Sequence, residues 1–395
     1  MKIIKREKYL DTLINVIGTP DIKVITGVRR CGKSKLLDEL KMYIEKNIKN
    51  NNIIYVNFSL HDTTNIMKCE LLYKYIEDRY REESKNFVLI DEVQMCEDFE
   101  KVINWIHAEE KFDIYITGSN AFLLSSDLAT LFTGRTFELE LYPFSYGEYL
   151  KYYNQERSDK TFNEYLLNGG LSGSYLYSDS NERYKYINDV YKTLIIRDIV
   201  NKYKIQNESL LDTLTDFLMD NVSNITSIRN ISNILNNNHI ATNDKIISRY
   251  ITYLCNAFMF YKIRRFDIQG KKYLSSQDKY YLVDHSFKFA KLGTKNINYG
   301  RVLENIVAIE LLRQGYEVYV GVLNNKEIDF VAMKRNEKIY IQVSDDISND
   351  ETFQREVAPL LKIQDAYPRM IIARTHHEKY QYEGIQIVNI VDWLS

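Results

Sequence analysis

Proline and cysteine are scarce in this chain of 395 residues, with four of each. So few prolines leave few marked linkers, and boundaries must be read from changes of pattern. The cysteines (Cys31, Cys69, Cys96 and Cys255) share no metal-ligand spacing and form no C-x-x-C pair. That excludes a zinc ribbon or a disulfide scaffold and points to reduced thiols. Long apolar runs are missing too. The opening MKIIKREKYLD has no apolar stretch of the kind a signal peptide needs, and the most apolar uncharged segment, residues 250–261, is too short to span a bilayer. A soluble cytoplasmic protein with no membrane partner is expected. Neither sign of charge dominates, since the net charge is −2. Near neutrality argues against a protein that coats nucleic acid non-specifically, but allows a local basic patch. No internal repeat is evident.

An apolar fraction of 45% is enough for ordinary cores, and 395 residues suit two or three domains. The first third alternates strand-like and helix-like runs: strands near 23–26, 52–58, 87–90 and 113–117, and helices near 33–48, 70–84 and 99–109. Such alternation predicts a parallel sheet covered by helices. Residues 143–207 read as helical with a break at Gly169-Gly170. Three helices follow, then two strand-like runs with a hairpin tip at 267–270. A separate α/β unit is expected after Gly300.

Gly27-Val28-Arg29-Arg30-Cys31-Gly32-Lys33-Ser34 matches G-x-x-x-x-G-K-[ST] in full, after a predicted strand and before a predicted helix. Glycines let the backbone wrap closely round phosphate oxygens, and the loop N–H groups with the helix N-terminus supply positive potential. ATP is therefore expected against residues 27–35, including Lys35. Lys33 would reach the β- and γ-phosphates, and Ser34 would ligate Mg²⁺. Residues 87–92, FVLIDE, form an apolar strand ending in two carboxylates. Asp91 can hold the Mg²⁺ and Glu92 can act as general base towards water. A third strand, residues 115–120 (YITGSN), ends in small polar residues. Asn120 or Ser119 would position the water there, or else cap the next helix. Arg135 in Thr133-Gly134-Arg135-Thr136 reads either as an arginine finger acting in trans or as a surface ion-pair partner.

GVRRCGKS, FVLIDEVQ, YITGSN, TGRT and LYPFSYGEY, in this order and spacing, resemble the AAA+ ATPase superfamily, and more narrowly a widespread bacterial and archaeal family of AAA-type ATPases. The likeness continues through Gly169-Gly170, residues 196–199 (IRDI), Glu304-Asn305 and residues 327–330 (EIDF), so it covers nearly the whole chain. It implies an ATPase core over 1–142, with the Tyr115 strand between the phosphate-loop strand and the Asp91 strand. It further implies a helical lid over 143–207, a winged-helix-like domain over 208–290, and a degenerate restriction-endonuclease-like domain over 291–395. Relatives often carry Gly-Gly-Φ-Pro, where this chain has Leu171-Ser172. AAA+ relatives often form rings, so a self-oligomer or a protein partner is implied as well.

In the middle segment, residues 228–237 and 244–258 fit the helix pair of a helix-turn-helix. From Asn243 to Lys272 seven basic residues face two acidic ones, a net of +5. A helix with a basic hairpin suits duplex phosphates, although many winged helices are protein adaptors. In restriction-endonuclease-like folds, the order Glu304, Asp329, Gln342 would supply oxygen ligands for a second metal ion. Ser344, however, stands where those sites use lysine. Three functions follow: an ATP-driven switch that engages DNA or a protein partner, an ATP-regulated DNA nuclease, and a nucleotide-stabilised adaptor that does not hydrolyse.

Overall fold

The computed structural model describes residues 4–118, 132, 134–295, 297–324, 326–375 and 379–395, without the side chains of Asp62, Ser275 and Ser276. The chain divides into two units: Met1–Pro143 with Asn256–Phe258, and Phe144–Cys255 with Met259–Ser395. Among the described residues, no helix is long and apolar enough to cross a membrane.

The first unit is built on five parallel strands: β1 (Ile22–Thr26), β2 (Asn51–Asn57), β3 (Lys85–Asp91), β4 (Phe112–Thr117) and β5 (Thr136–Glu140). Their order is β2-β3-β4-β1-β5, so the Tyr115 strand does lie between the phosphate-loop strand and the Asp91 strand. Parallel sheets are covered on both faces, which is why β1 and β3 read as nearly unbroken apolar runs. Alternate residues separate the faces. Ile22, Val24, Ile54, Val56, Val88, Ile90, Ile114 and Ile116 pack against Leu72, Ile76, Val102, Ile103 and Ile106 from the helices Cys69–Glu77 and Phe99–Ala108. The helix Lys33–Asn47 contacts β2, β3 and β4 and buries Leu36, Leu37, Leu40 and Ile44. The lysine within β1 is tolerated because its stem is buried and its head is satisfied: Lys23 Nζ donates to Thr19 O and to Asp113 Oδ1, each at 2.6 Å.

The second unit opens with helices Tyr146–Tyr153, Asp159–Asn168 and Ser180–Thr193. Ser145 starts the first of them through a capping box with Glu148, which accounts for the polar pair in LYPFSYGEY. Gly169 has φ +67°, and a Cβ there would stand 2.2 Å from Asp284 Oδ1. The Asp284 carboxylate also accepts the Gly170 N–H at 2.7 Å, so the Gly-Gly break is a close-approach site. The helices Ile228–Asn237 and Asp244–Asn256 follow.

An eight-stranded mixed sheet completes the unit. Its strands are β6 (Phe260–Asp267), β7 (Lys272–Leu282), β8 (Glu317–Leu323), β9 (Lys326–Lys334), β10 (Glu337–Ser344), β11 (Arg369–Ala373), β12 (Tyr380–Tyr382) and β13 (Ile385–Asn389), in the order β12-β13-β11-β10-β9-β8-β6-β7. The sheet therefore runs across the boundary drawn at residue 290. β6 pairs in parallel with β8 at Arg265–Val320, Phe266–Gly321 and Asp267–Val322. At the tip of the β6–β7 hairpin, Ile268 is buried in the same core as Ile328, Val331 and Tyr340. The hairpin expected at 267–270 is thus tied into the sheet along one edge.

Candidate nucleotide site

The phosphate loop connects β1 to the helix Lys33–Asn47. Gly27 has φ +135°, and a Cβ there would meet the Leu141 carbonyl oxygen at 2.2 Å, so only glycine fits. Gly32, the helix N-cap, has φ +108° and open space around its Cβ position. Arg30 between them is also left-handed, at φ +68°. The loop thus bends through three left-handed residues in front of a helix N-terminus. Lys33 is only 5% exposed, and its ammonium donates back to Gly27 O at 2.9 Å and Val28 O at 3.1 Å.

Asp91 ends β3 and is 1% exposed. Burial raises its pKa above the ordinary aspartate value; the Thr117 and Ser34 hydroxyls and the Lys33 charge pull it down, and Glu92 pushes it up. The loop and the acidic strand tip therefore meet: the Ser34 hydroxyl and the Lys33 charge both act on the Asp91 carboxylate. Glu92 follows in a left-handed conformation (φ +56°), and Gln94 Nε2 donates to its Oε2 at 2.5 Å.

Two contributors escaped the sequence reading. Thr117, at the tip of β4, donates to Asp91 Oδ1 at 2.5 Å and accepts the Glu92 N–H at 3.0 Å, fixing both acidic residues through one hydroxyl. The pairing of β4 beside β3 singles out Thr117. The second is Arg6, which is buried although it precedes the first helix. Its Nη1 donates to Cys31 O at 3.2 Å and Tyr142 O at 2.8 Å, bracing the loop against the segment that also supplies the Leu141 carbonyl under Gly27. No local sequence signal marks this residue.

The remaining candidates fall as follows. Val28 and Cys31 are buried, and burial, opposed by Lys33 and Arg6, raises the Cys31 thiol pKa. Arg29 is half-buried and Arg30 is exposed. Lys35 is exposed and its side chain pairs with Asp38 at 3.1 Å. Ser119 and Asn120 lie outside the described residues. Arg135 is exposed at the start of β5, where its carbonyl accepts the Ile22 N–H at 2.8 Å. That is the end of β1 away from the loop, roughly 15 Å along the strand. Arg135 is therefore not part of the nucleotide site of its own chain, which leaves only the reading in trans or the ion-pair reading.

The residues fit Mg²⁺-ATP on their own geometry. A buried cation, a hydroxyl and a carboxylate converge beside a loop that requires glycine, and the Thr26 hydroxyl at the loop's root is buried without a partner.

Glu304, Asp329 and Gln342 do not assemble as three ligands. Glu304 and Asp329 approach one another round the Lys279 ammonium, whereas Gln342 Oε1 accepts the Asp329 N–H at 2.7 Å and its Nε2 donates to Glu356 at 3.0 Å. Among the described residues, no group of three or more His, Cys, Asp or Glu side chains is placed to hold a metal ion.

Fold and site together define a phosphate-loop fold on a five-stranded parallel sheet. Residues 19–150 match a family described as an AAA domain, and residues 159–298 match a domain of unknown function (DUF8612). An uncharacterized protein of Haemophilus influenzae is 37% identical, over 99% of this chain and 98% of its own length. The chain belongs to the same family as that protein. An uncharacterized protein of Methanocaldococcus jannaschii is 29% identical, over 90% of this chain and 82% of its own length. Among solved structures, a Walker-type ATPase of Pyrococcus abyssi covers 73% of this chain and 96% of its own, at 14% identity and a TM-score of 0.49.

Proposed function

We propose that the protein binds ATP with Mg²⁺ and hydrolyses it, and that the cycle drives a conformational switch. The observation that carries this reading is the convergence of Lys33, Ser34 and Asp91 on one spot in front of a glycine-bounded loop. Lys33 would exchange its two loop carbonyls for phosphate oxygens, the loop N–H groups would orient the triphosphate, and Ser34 with Asp91 would hold the Mg²⁺. The metal ion supplies charge neutralisation for the phosphates. Glu92 takes a proton from water as the water oxygen bonds to the γ-phosphorus. The bond from that phosphorus to the β,γ-bridging oxygen breaks, giving ADP and inorganic phosphate.

Thr117 positions both acids, so removing its hydroxyl acts on the chemical step. Thr117→Val is expected to lower kcat about 10- to 100-fold, the worth of one hydrogen bond to a charged group. The ATP dissociation constant should change far less, and Thr117→Ser should restore turnover. If Thr117→Val left kcat unaltered, Thr117 would be a packing residue only.

The partner whose chemistry suits the second unit is duplex DNA. Arg229, Lys245 and Arg249 are exposed and line one shallow cleft between the helices Ile228–Asn237 and Asp244–Asn256. The patch is smaller than the sequence count implied, because Lys262 pairs with Asp278 at 2.8 Å and Arg265 donates to Gln277 at 2.6 Å. The test is steady-state ATP turnover with and without duplex DNA over a salt series. Stimulation that fades with salt and is lost in Lys245→Glu/Arg249→Glu is expected. Binding and turnover indifferent to DNA would sink the DNA reading and leave a protein partner.

A further inference from the structure

The second unit contains a buried charged cluster that nucleotide chemistry does not use. β7 supplies Lys279 and Tyr281, the helix Tyr299–Arg313 supplies Glu304, and β9 supplies Glu327 and Asp329. Lys279 is 2% exposed. Its Nζ lies 2.8 Å from Glu304 Oε1, 2.5 Å from Glu327 Oε1 and 3.8 Å from Asp329 Oδ1. The Tyr281 hydroxyl donates to the same Glu304 oxygen at 2.6 Å, and Asp329 Oδ2 accepts the Val343 N–H at 2.8 Å.

An ammonium has three N–H donors and no acceptor, and here three carboxylates surround it. Buried carboxylates need a cation or a proton, because isolated charge in a low-dielectric interior is costly. A metal-binding pocket meets that need with a divalent ion and leaves an open coordination position. This pocket meets it from within the chain. Burial pulls the Lys279 ammonium down, but Glu304, Asp329 and Glu327 more than offset it, so the group stays charged. Burial raises the pKa of both Glu304 and Asp329, and Lys279 lowers both. Gln342 is engaged by the Asp329 backbone and by Glu356.

We infer that Lys279 is a built-in counter-cation occupying the place a divalent metal ion would take among Glu304, Glu327 and Asp329, so that the pocket clamps β7, β9 and the intervening helix together and does not cleave phosphodiesters. The sequence feature that looked like a loss, serine at 344, is accompanied by a lysine from a strand far earlier in the chain. That lysine is aimed at the carboxylates themselves.

The test uses the full chain without nucleotide and Mn²⁺ as the probe, read by electron paramagnetic resonance and thermal melting. In the wild type, no bound Mn²⁺ should disappear on Asp329→Asn, and Mn²⁺ should not raise the melting temperature through this pocket. Lys279→Met should melt lower and should gain a Mn²⁺ site at least about tenfold tighter than any at this position in the wild type, with the metal restoring stability. Should Lys279→Met fail to fold, Lys279→Met/Asp329→Asn should recover folding without metal, since the unbalanced charge is then reduced. The inference is overturned by Mn²⁺ binding, or Mg²⁺-dependent DNA cleavage, in the wild type that Asp329→Asn abolishes. It is equally overturned by a Lys279→Met protein as stable as the wild type and blind to Mn²⁺, or by a double variant that does not recover. None of these outcomes depends on ATP turnover.

Discussion

Replacing Lys33 with alanine is expected to weaken ATP binding at least about a hundredfold, the worth of charge-assisted contacts to two phosphate groups. The present geometry explains why nothing nearby can substitute. The ammonium is buried and held by the Gly27 and Val28 carbonyls at the mouth of the loop, whereas Lys35, two residues on, is turned outward to Asp38. Lys33→Ala also leaves two loop carbonyls without their donor, so some loss of thermal stability should accompany the loss of binding. A titration with a fluorescent ATP analogue separates the two effects, because a folded variant with intact affinity would refute the phosphate-loop assignment outright. Lys33→Arg should not rescue, since the guanidinium is longer and planar and cannot reproduce a compact point charge in a closed loop.

Glu92→Gln should do the opposite: keep binding and stop the chemistry. Glutamine matches glutamate in size, so the left-handed turn at residue 92 and the backbone hydrogen bond to Thr117 are retained. What is lost is the ability to accept a proton from water. General-base removal typically costs 10²–10⁴ in rate, and a fall of about 10³ in kcat is expected with ATP affinity within about threefold of wild type. Single-turnover hydrolysis beside an equilibrium binding measurement gives the answer. Equal turnover in Glu92→Gln and wild type would mean that Glu92 is not the base; binding without turnover in either would mean that the nucleotide serves structure. The Gln94 amide, which touches the Glu92 carboxylate, could itself be broken in a control to ask whether orientation of the base matters.

Much of this site was legible because its signals are local. A glycine at a position that needs left-handed backbone, a lysine and serine opening a helix, and an apolar strand ending in Asp-Glu are each written in consecutive residues. Thr117 was not legible in the same way. Its role comes from β4 lying next to β3, which puts its hydroxyl between Asp91 and the Glu92 N–H, and a threonine at a strand end has many bland explanations. Arg6 is a sharper instance, because its two acceptors are separated from it by 25 and 136 residues. The β6–β7 hairpin was recognised as a hairpin, but one edge of it is satisfied by β8, about fifty residues downstream, and the burial of Ile268 follows from that pairing.

The order of residues alone determined that a glycine loop would join a strand to a helix, that an acidic pair would end another strand, and that a parallel sheet would carry them. Each of those rests on backbone conformation or on periodicity over a few residues. Tertiary structure alone decided that Thr117 joins the two acids, that Arg6 braces the loop, that Arg135 stands at the far end of the sheet, and that a lysine at 279 fills the space between Glu304 and Asp329. Those facts depend on which strands become neighbours. Burying side chains from segments 25 to 136 residues apart sets that, and no short window of sequence encodes it.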